Sequence, residues 1–266
     1  MVIKFGDHIT PLKVRTMKIL GFVPIHYGVE YLKLCLNPLR EFCDKVHVPY
    51  TFKPSHGHSA KIKGRIIPCP DSRDQIYSIA SDTLGNKLIW EEFETFGREC
   101  DHRNTVLKHS SDFDVIISTD SDEAFCMDTL SDGIKMTYDS QYRHNGTSNY
   151  INFWRSFDYV VNDSYSPIRM FNLRRPDGVG HGLPTKIYHF GTCQSQKIME
   201  YKYLCHGHKD ELRPDWLKEV YYKWTPENQI TNLHPVANGL WNASAFDKTS
   251  LPDSFKEHAN YNKVLV

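Results

Sequence analysis

The stretch that decides the reading is Asp114-Val115-Ile116-Ile117-Ser118-Thr119-Asp120-Ser121-Asp122-Glu123. Val115, Ile116 and Ile117 in a row, ended by a polar break, predict a strand buried on both faces, as strands of parallel sheets are. Asp120, Asp122 and Glu123 then arrive together at its carboxyl end, where open parallel sheets bind their ligands. Between His109 and Ile134 the chain carries seven acidic residues and no Lys or Arg. Carboxylates this close repel one another unless a cation joins them, and none is near in sequence. Hard divalent ions prefer oxygen ligands and bridge carboxylates to diphosphates. Asp120 and Asp122 are therefore expected to hold Mn2+ or Mg2+, and the bland alternative is a solvated acidic turn.

Upstream, Lys18–Val23 is a short apolar run that stops at Pro24, as a buried strand would. Val29, Leu32, Leu36, Leu39 and Cys43 recur at helical spacing, and Pro38 is expected to split or kink that helix. Lys45–Tyr50 alternates as a second strand, and Ile66-Ile67 marks a possible third. Asp71 is a candidate cap for a helix starting near Arg73. Ile89, Phe93, Phe96 and Cys100 predict a long helix face running toward Leu107. Downstream, Tyr150–Val161, Ile168–Leu173 and Lys186–Phe190 read as strands, and Gln194–Tyr203 as a helix. Strands alternating with helices over the first ~125 residues predict an α/β fold with a mostly parallel, Rossmann-like sheet flanked by helices, followed by a smaller mixed region. One domain spanning residues 1–266 is expected: a ligand-binding half over 18–125, a second half over 126–203, and a Trp-, His- and Pro-rich tail over 204–266 that wraps the core or lines a groove.

Composition narrows the class. The 266 residues are 13% aromatic and carry 32 basic against 32 acidic side chains, which excludes a disordered chain and argues against a general nucleic-acid coat. No apolar run approaches the roughly 20 residues that span a bilayer, and no signal-peptide core is evident. Seven scattered cysteines without a C-x-x-C pair fit free thiols, so a cytoplasmic protein is expected. His56-Gly57-His58 and His206-Gly207-His208 lack zinc spacing. Gly178-x-Gly180-x-Gly182 runs into Leu183-Pro184 where a phosphate loop needs a helix.

Val23-Pro24 ahead of Tyr31-Leu32-x-x-x-Leu36, Arg103-Asn104, Asp120-x-Asp122-Glu123, Arg169-Met170-Phe171 and His189-Phe190-Gly191 occur in an order that resembles GT-A-fold glycosyltransferases of the broad family-2 type, over roughly Ile19–Lys202. That resemblance implies a GT-A-like domain and a metal-dependent glycosyltransferase. It would move a hexosyl or pentosyl group from a nucleotide-diphosphate sugar, a UDP-sugar in the first instance, to an acceptor hydroxyl. It implies Asp120, Asp122 and His189 as metal ligands. Pro24, His26, Arg103 and Asp120 would bind the donor, and Lys197 and Lys202, on the helix after His189, are expected to meet its diphosphate.

The chain also departs from that pattern. No D-x-S-x-D follows the second strand, which leaves the base unassigned, and no Glu-Asp dipeptide supplies the usual inverting base. An acceptor hydroxyl still needs a proton acceptor. Asp177 and His181, in the Gly-rich loop, are the candidates, with Asp158 and Asp163 as competitors. The acceptor is a glycan or polysaccharide. Alternatively it is a hydroxymethylated DNA base, as phage enzymes modify, for which the basic stretch Thr51–Arg65 is the argument. The same carboxylates would also serve a metal-dependent phosphohydrolase or nucleotidyltransferase acting on a nucleotide-sugar.

Overall fold

The computed structural model describes residues 17–55, 60–163, 165–180, 182–205, 209–228, 230–236 and 241–263. The first half runs β1 (Ile19–Phe22), α1 (Val29–Phe42), β2 (Lys45–Thr51), β3 (Lys61–Ile62), β4 (Arg65–Ile66), α2 (Arg73–Leu84), β5 (Leu88–Phe93), α3 (Glu99–Arg103), a 3-10 segment (Asn104–Asp112) and β6 (Val115–Ser118). The second half runs β7 (Glu123–Phe125), α4 (Met127–Asp139), β8 (His144–Trp154), β9 (Ser156–Val161), β10 (Ile168–Asn172), β11 (Leu183–Thr192), α5 (Gln196–Leu204), β12 (Ala243–Ala245) and α6 (Asp253–Lys256). No helix of the described residues is long and apolar enough to cross a membrane.

The main sheet has the order β12-β9-β8-β10-β6-β1-β2-β5. β5, β2, β1 and β6 are mutually parallel, and this is the Rossmann-like half that the sequence predicts. β10 then joins β6 antiparallel, and β11 lies parallel to β8 and antiparallel to β7, which makes the smaller mixed region. The chain moves outward from β1 to β2 and β5, then returns to place β6 on the other side of β1. Strand order reverses there, so the crevice outside the carboxyl ends of β1 and β6 is where a ligand is expected.

Period-two alternation assigns the two faces. Ile19, Val46, Val48, Val115 and Ile117 pack against Leu32, Leu36 and Leu39 of α1, Ile76 and Ala80 of α2, and Leu130 of α4. Leu20, Phe22 and Ile116 point the other way, onto Val106 of the 3-10 segment and Phe113. The V-I-I run of β6 is thus buried on both sides, as its composition requires. A third cluster joins Trp216, Tyr221, Trp224 and Leu233 of the tail to the fully buried Trp154. Arg155, at φ 56°, ties the two by donating to the carbonyls of Tyr221 and Trp224.

Four local expectations are corrected. The helix read through Ile89–Leu107 is instead β5, then the one-turn α3 and the 3-10 segment. The apolar spacing is helical, but pairing of Leu88–Phe93 with β2 overrides it, with Trp90 stacked on Tyr50 across the pair. α1 runs unbroken through Pro38, whose ring is buried in the helix's last turns. Asp71 caps α1, not α2: its carboxylate accepts from the amides of Gly28 and Val29, while Ser72 and Gln75 form the capping box of α2. The strand read over Tyr150–Val161 turns at Arg155 into the antiparallel pair β8–β9.

One glycine couples this frame to the acidic loop. Gly28 has φ +124°, and a Cβ there would lie 2.3 Å from Ser121 Oγ. Strain and clash act together, so Gly28→Ala should lower the unfolding free energy by about 2 kcal/mol or more in urea. Gly97→Ala, which meets nothing within 4 Å, should leave it within about 0.5 kcal/mol.

Candidate functional site

β6 delivers Asp120, Ser121 and Asp122 into the crevice, and Glu123 turns the chain back into β7. Glu123 is 1% exposed and serves as the loop's anchor. Its carboxylate accepts from Arg169 Nε at 2.7 Å, Arg169 Nη2 at 2.6 Å, Tyr150 Oη at 2.8 Å and the Asp120 amide at 3.1 Å. Asp120 accepts from Arg103 at 2.9 Å on one oxygen and from Arg169 at 2.8 Å on the other. Asp122 Oδ2 accepts from Lys202 Nζ at 2.9 Å and Gln194 Nε2 at 3.1 Å. Three carboxylates therefore meet three cations. The unneutralised cluster expected from sequence is corrected here, because the cations come from α3, β10 and α5.

Burial raises the pKa of Asp120 and Asp122, but the nearby cations outweigh it. Arg169 and Arg103 hold Asp120 well below the usual carboxylate range, and Lys202 holds Asp122 below it. Both are anionic at neutral pH. Arg169 is pushed the other way: burial disfavours its charge, but Glu123 and Asp120 more than compensate.

His189 sits on β11 beside this cluster. Burial lowers its pKa, against the pull of Asp122 and Glu123, and keeps the ring neutral. Its Nδ1 lies 2.9 Å from Asn152 Oδ1, so Nδ1 donates and the Nε2 lone pair faces Asp122 Oδ1 at 3.9 Å. Tyr150 stacks on the ring at 5.0 Å. Gly191 is required for this placement, since a Cβ there would come within 2.3 Å of His189 Cε1.

Three clefts meet at this point. A cleft of about 320 Å³ is lined by Pro24, His26, Ser55, Arg103, Asp120 and Asp122 among others. A second of about 300 Å³ is mostly apolar, with Met199, Tyr203, Trp216 and Trp241. A wide groove of about 1020 Å³ carries Arg143, Asp163, Tyr165, Arg169 and Asp177. His189 and Lys202 line all three.

Of the residues expected from sequence, Pro24, His26, Arg103, Asp120, Asp122 and His189 come together on the first cleft. His26 is a fixed part of its wall, with Nδ1 donating to the Thr51 carbonyl and Nε2 accepting from Tyr201 Oη, both at 2.7 Å. Of the two α5 lysines expected to meet the diphosphate, Lys197 is exposed and lines none of the three clefts, and Lys202 lines all three. Asp120, Asp122 and His189 do not close to within 4.8 Å of one another as a set of three ligand atoms. Asp177 is 83% exposed and pairs with Arg143 at 3.2 Å on the wide groove. Asp163 lines the same groove, and Asp158 pairs with Lys248 at 2.8 Å away from it. His181 lies outside the described residues, as do His56, His58, His206 and His208. Sequence reading quoted Arg169 only as part of a strand motif, with no role in the site, and missed Tyr150, Asn152 and Gln194. For Arg169 the further signal is a charged residue inside the apolar run Ile168–Phe171.

No family model matches the chain, and no curated protein matches it. Solved structures similar to it include S. aureus TarS 1-349, at TM-score 0.43 and 14% identity over 76% of this chain and 75% of that one. TarS 1-349 in complex with UDP aligns at TM-score 0.36 and 20% identity, over 52% of this chain and 36% of that one. The complex with UDP-GlcNAc aligns at TM-score 0.35 and 22% identity, over 52% and 35%. In the last two alignments the chain spans about a third of the other's length. At that distance the site's own geometry has to carry the functional reading.

Removing Arg169 should be costly. Arg169→Met leaves Glu123 buried without its cation and should lower stability by about 3 kcal/mol or more, and adding Glu123→Gln should recover part of the loss. Asp120 and Asp122 titrate below the unfolded value of about 3.9, so their contribution is full above about pH 4 and is lost as pH falls through the folded values. Denaturation of Arg169→Met between pH 2 and 6 should therefore show a shallower acid limb than the unsubstituted chain.

Proposed function

We propose that this chain is a glycosyltransferase that moves a sugar from a nucleotide-diphosphate sugar to an acceptor hydroxyl. The observation that supports this most is the convergence of an acidic loop, a neutral histidine and a lysine where three clefts meet outside the carboxyl ends of β1 and β6. In this reading the first cleft takes the nucleoside diphosphate, for which a UDP-sugar is the first choice. The aromatic cleft and the wide groove take the acceptor.

The chain's own cations have assignable work. Lys202 and Arg103 face the first cleft, where the negative charge of a departing diphosphate develops, and fixed cations there stabilise the transition state. Asp120 orients Arg103, and Arg169 orients Asp120. On the acceptor side, Asp177 remains the candidate base. Tyr203 and Trp241, partly exposed on the aromatic cleft, offer rings against which a sugar packs, which favours a glycan over a modified DNA base.

Mn2+ or Mg2+ fits this site through two protein ligands. Asp122 Oδ1 makes no hydrogen bond among the described residues, and His189 Nε2 points its lone pair toward it, with Asn152 fixing the tautomer. A bound ion would neutralise the diphosphate between them. Asp120 is engaged by Arg103 and Arg169 and acts through them.

The test is a thermal-shift panel of nucleotide sugars with and without Mn2+, followed by product analysis. One donor should raise Tm and yield transferred or free sugar plus the nucleoside diphosphate. Nucleoside monophosphate plus sugar phosphate would instead establish a phosphohydrolase or nucleotidyltransferase. Lys202→Met should lower kcat by about 100-fold or more, and Asp122→Asn should abolish both turnover and the metal-dependent part of the donor's Tm shift. Transfer that falls steeply with salt would identify a nucleic-acid acceptor, and salt-independent transfer a glycan.

A further inference from the structure

Outside the linings of these clefts lies a second group of ligating side chains. Alternation along β2 turns Val46 and Val48 toward the helices and His47 toward the opposite face, where its ring meets Phe22. Glu91, from the adjacent β5, and His109, from the 3-10 segment, meet it there. His47 Nε2 lies 2.9 Å and His109 Nε2 3.4 Å from the same oxygen, Glu91 Oε2. Ligand atoms of the three residues lie within 4.8 Å of one another, and among the described residues no other group of three does so.

We propose that His47, Glu91 and His109 bind a zinc ion. Two imidazoles and one carboxylate are an established ligand set for Zn2+, and ligand atoms on a tetrahedral zinc lie about 3.3–3.5 Å apart, close to the spacing seen here. One orphaned atom points the same way. His109 Nε2 is buried and makes no hydrogen bond, which leaves a polar atom unsatisfied that a metal would satisfy. His47 Nε2 donates to Glu91 Oε2 at 2.9 Å, and a zinc ion would take the place of that proton. Lys108 Nζ pairs with Glu91 Oε1 and leaves Oε2 to the histidines. Glu91 and His109 are only partly buried, and a water would serve as the fourth ligand.

The ion would clip the segment Asn104–Asp112 to the β2–β5 edge of the sheet. That segment follows directly from Arg103, so zinc here would also brace the arginine that pairs with Asp120.

The experiment strips the full chain with a chelator and titrates it with Zn2+, reading stoichiometry by calorimetry and Tm by thermal shift. One zinc per chain with a raised Tm is expected, and Asp122→Asn should bind it equally well. His109→Ala, at a partly exposed position, should keep the fold but weaken zinc binding by about 100-fold and lose the Tm shift. Co2+ loaded in place of zinc should show tetrahedral visible bands without a thiolate charge-transfer band, which separates this site from the seven cysteines. No zinc uptake, uptake unchanged in His109→Ala, or a thiolate band that persists in that variant would each overturn the proposal. None of these readouts depends on sugar transfer.

Discussion

Arg169 reaches from β10 across the end of β6 and grips Glu123 with two hydrogen bonds, where the carboxylate is almost wholly removed from water. A buried pair of this kind is a weak source of net stability, because desolvating both ions offsets most of their attraction. Its consequence is geometric. With Glu123 held by Arg169, Tyr150 and the Asp120 amide, the loop from Thr119 to Asp122 has one conformation available. Asp120 is thereby turned to Arg103 and Arg169, and Asp122 to Lys202 and His189.

The same loop is constrained from the other side by β1 and α1. Ser121 Oγ donates to the Tyr27 carbonyl, and Gly28 lets the turn approach closely enough for that bond. Asp71 caps the helix that follows. The turn leaving β1, the loop leaving β6 and the approach of β11 thus form one rigid rim, and the tail's aromatic cluster on Trp154 closes its far side. Preorganised charge is worth most in such a setting, since the donors need not reorganise when a ligand arrives.

The clefts also divide by chemistry. The one over the switch point mixes carboxylates with cations and histidines, and its neighbour is lined by Trp, Tyr and Met. His189 and Lys202 stand at the boundary between the two.

Much of this was legible in the chain read alone, where the signal was local. Three apolar residues ending in Asp-Ser-Asp-Glu specify both a buried parallel strand and carboxylates at its carboxyl end, because side-chain period and strand direction are properties of adjacent residues. Pro24, Arg103 and His189 were placed on the cleft by the order of short motifs. What tertiary structure decided was everything carried by partners far apart in sequence. The Arg169–Glu123 and Lys202–Asp122 contacts span 46 and 80 residues, so no local window shows that the acidic loop is neutralised within the chain. The helix expected over Ile89–Leu107 failed for the same reason, since pairing of Leu88–Phe93 with β2 outweighed a helical spacing. His47, Glu91 and His109 are unremarkable at three separate positions, and only the crossing of β2, β5 and the 3-10 segment brings their ligand atoms to one point.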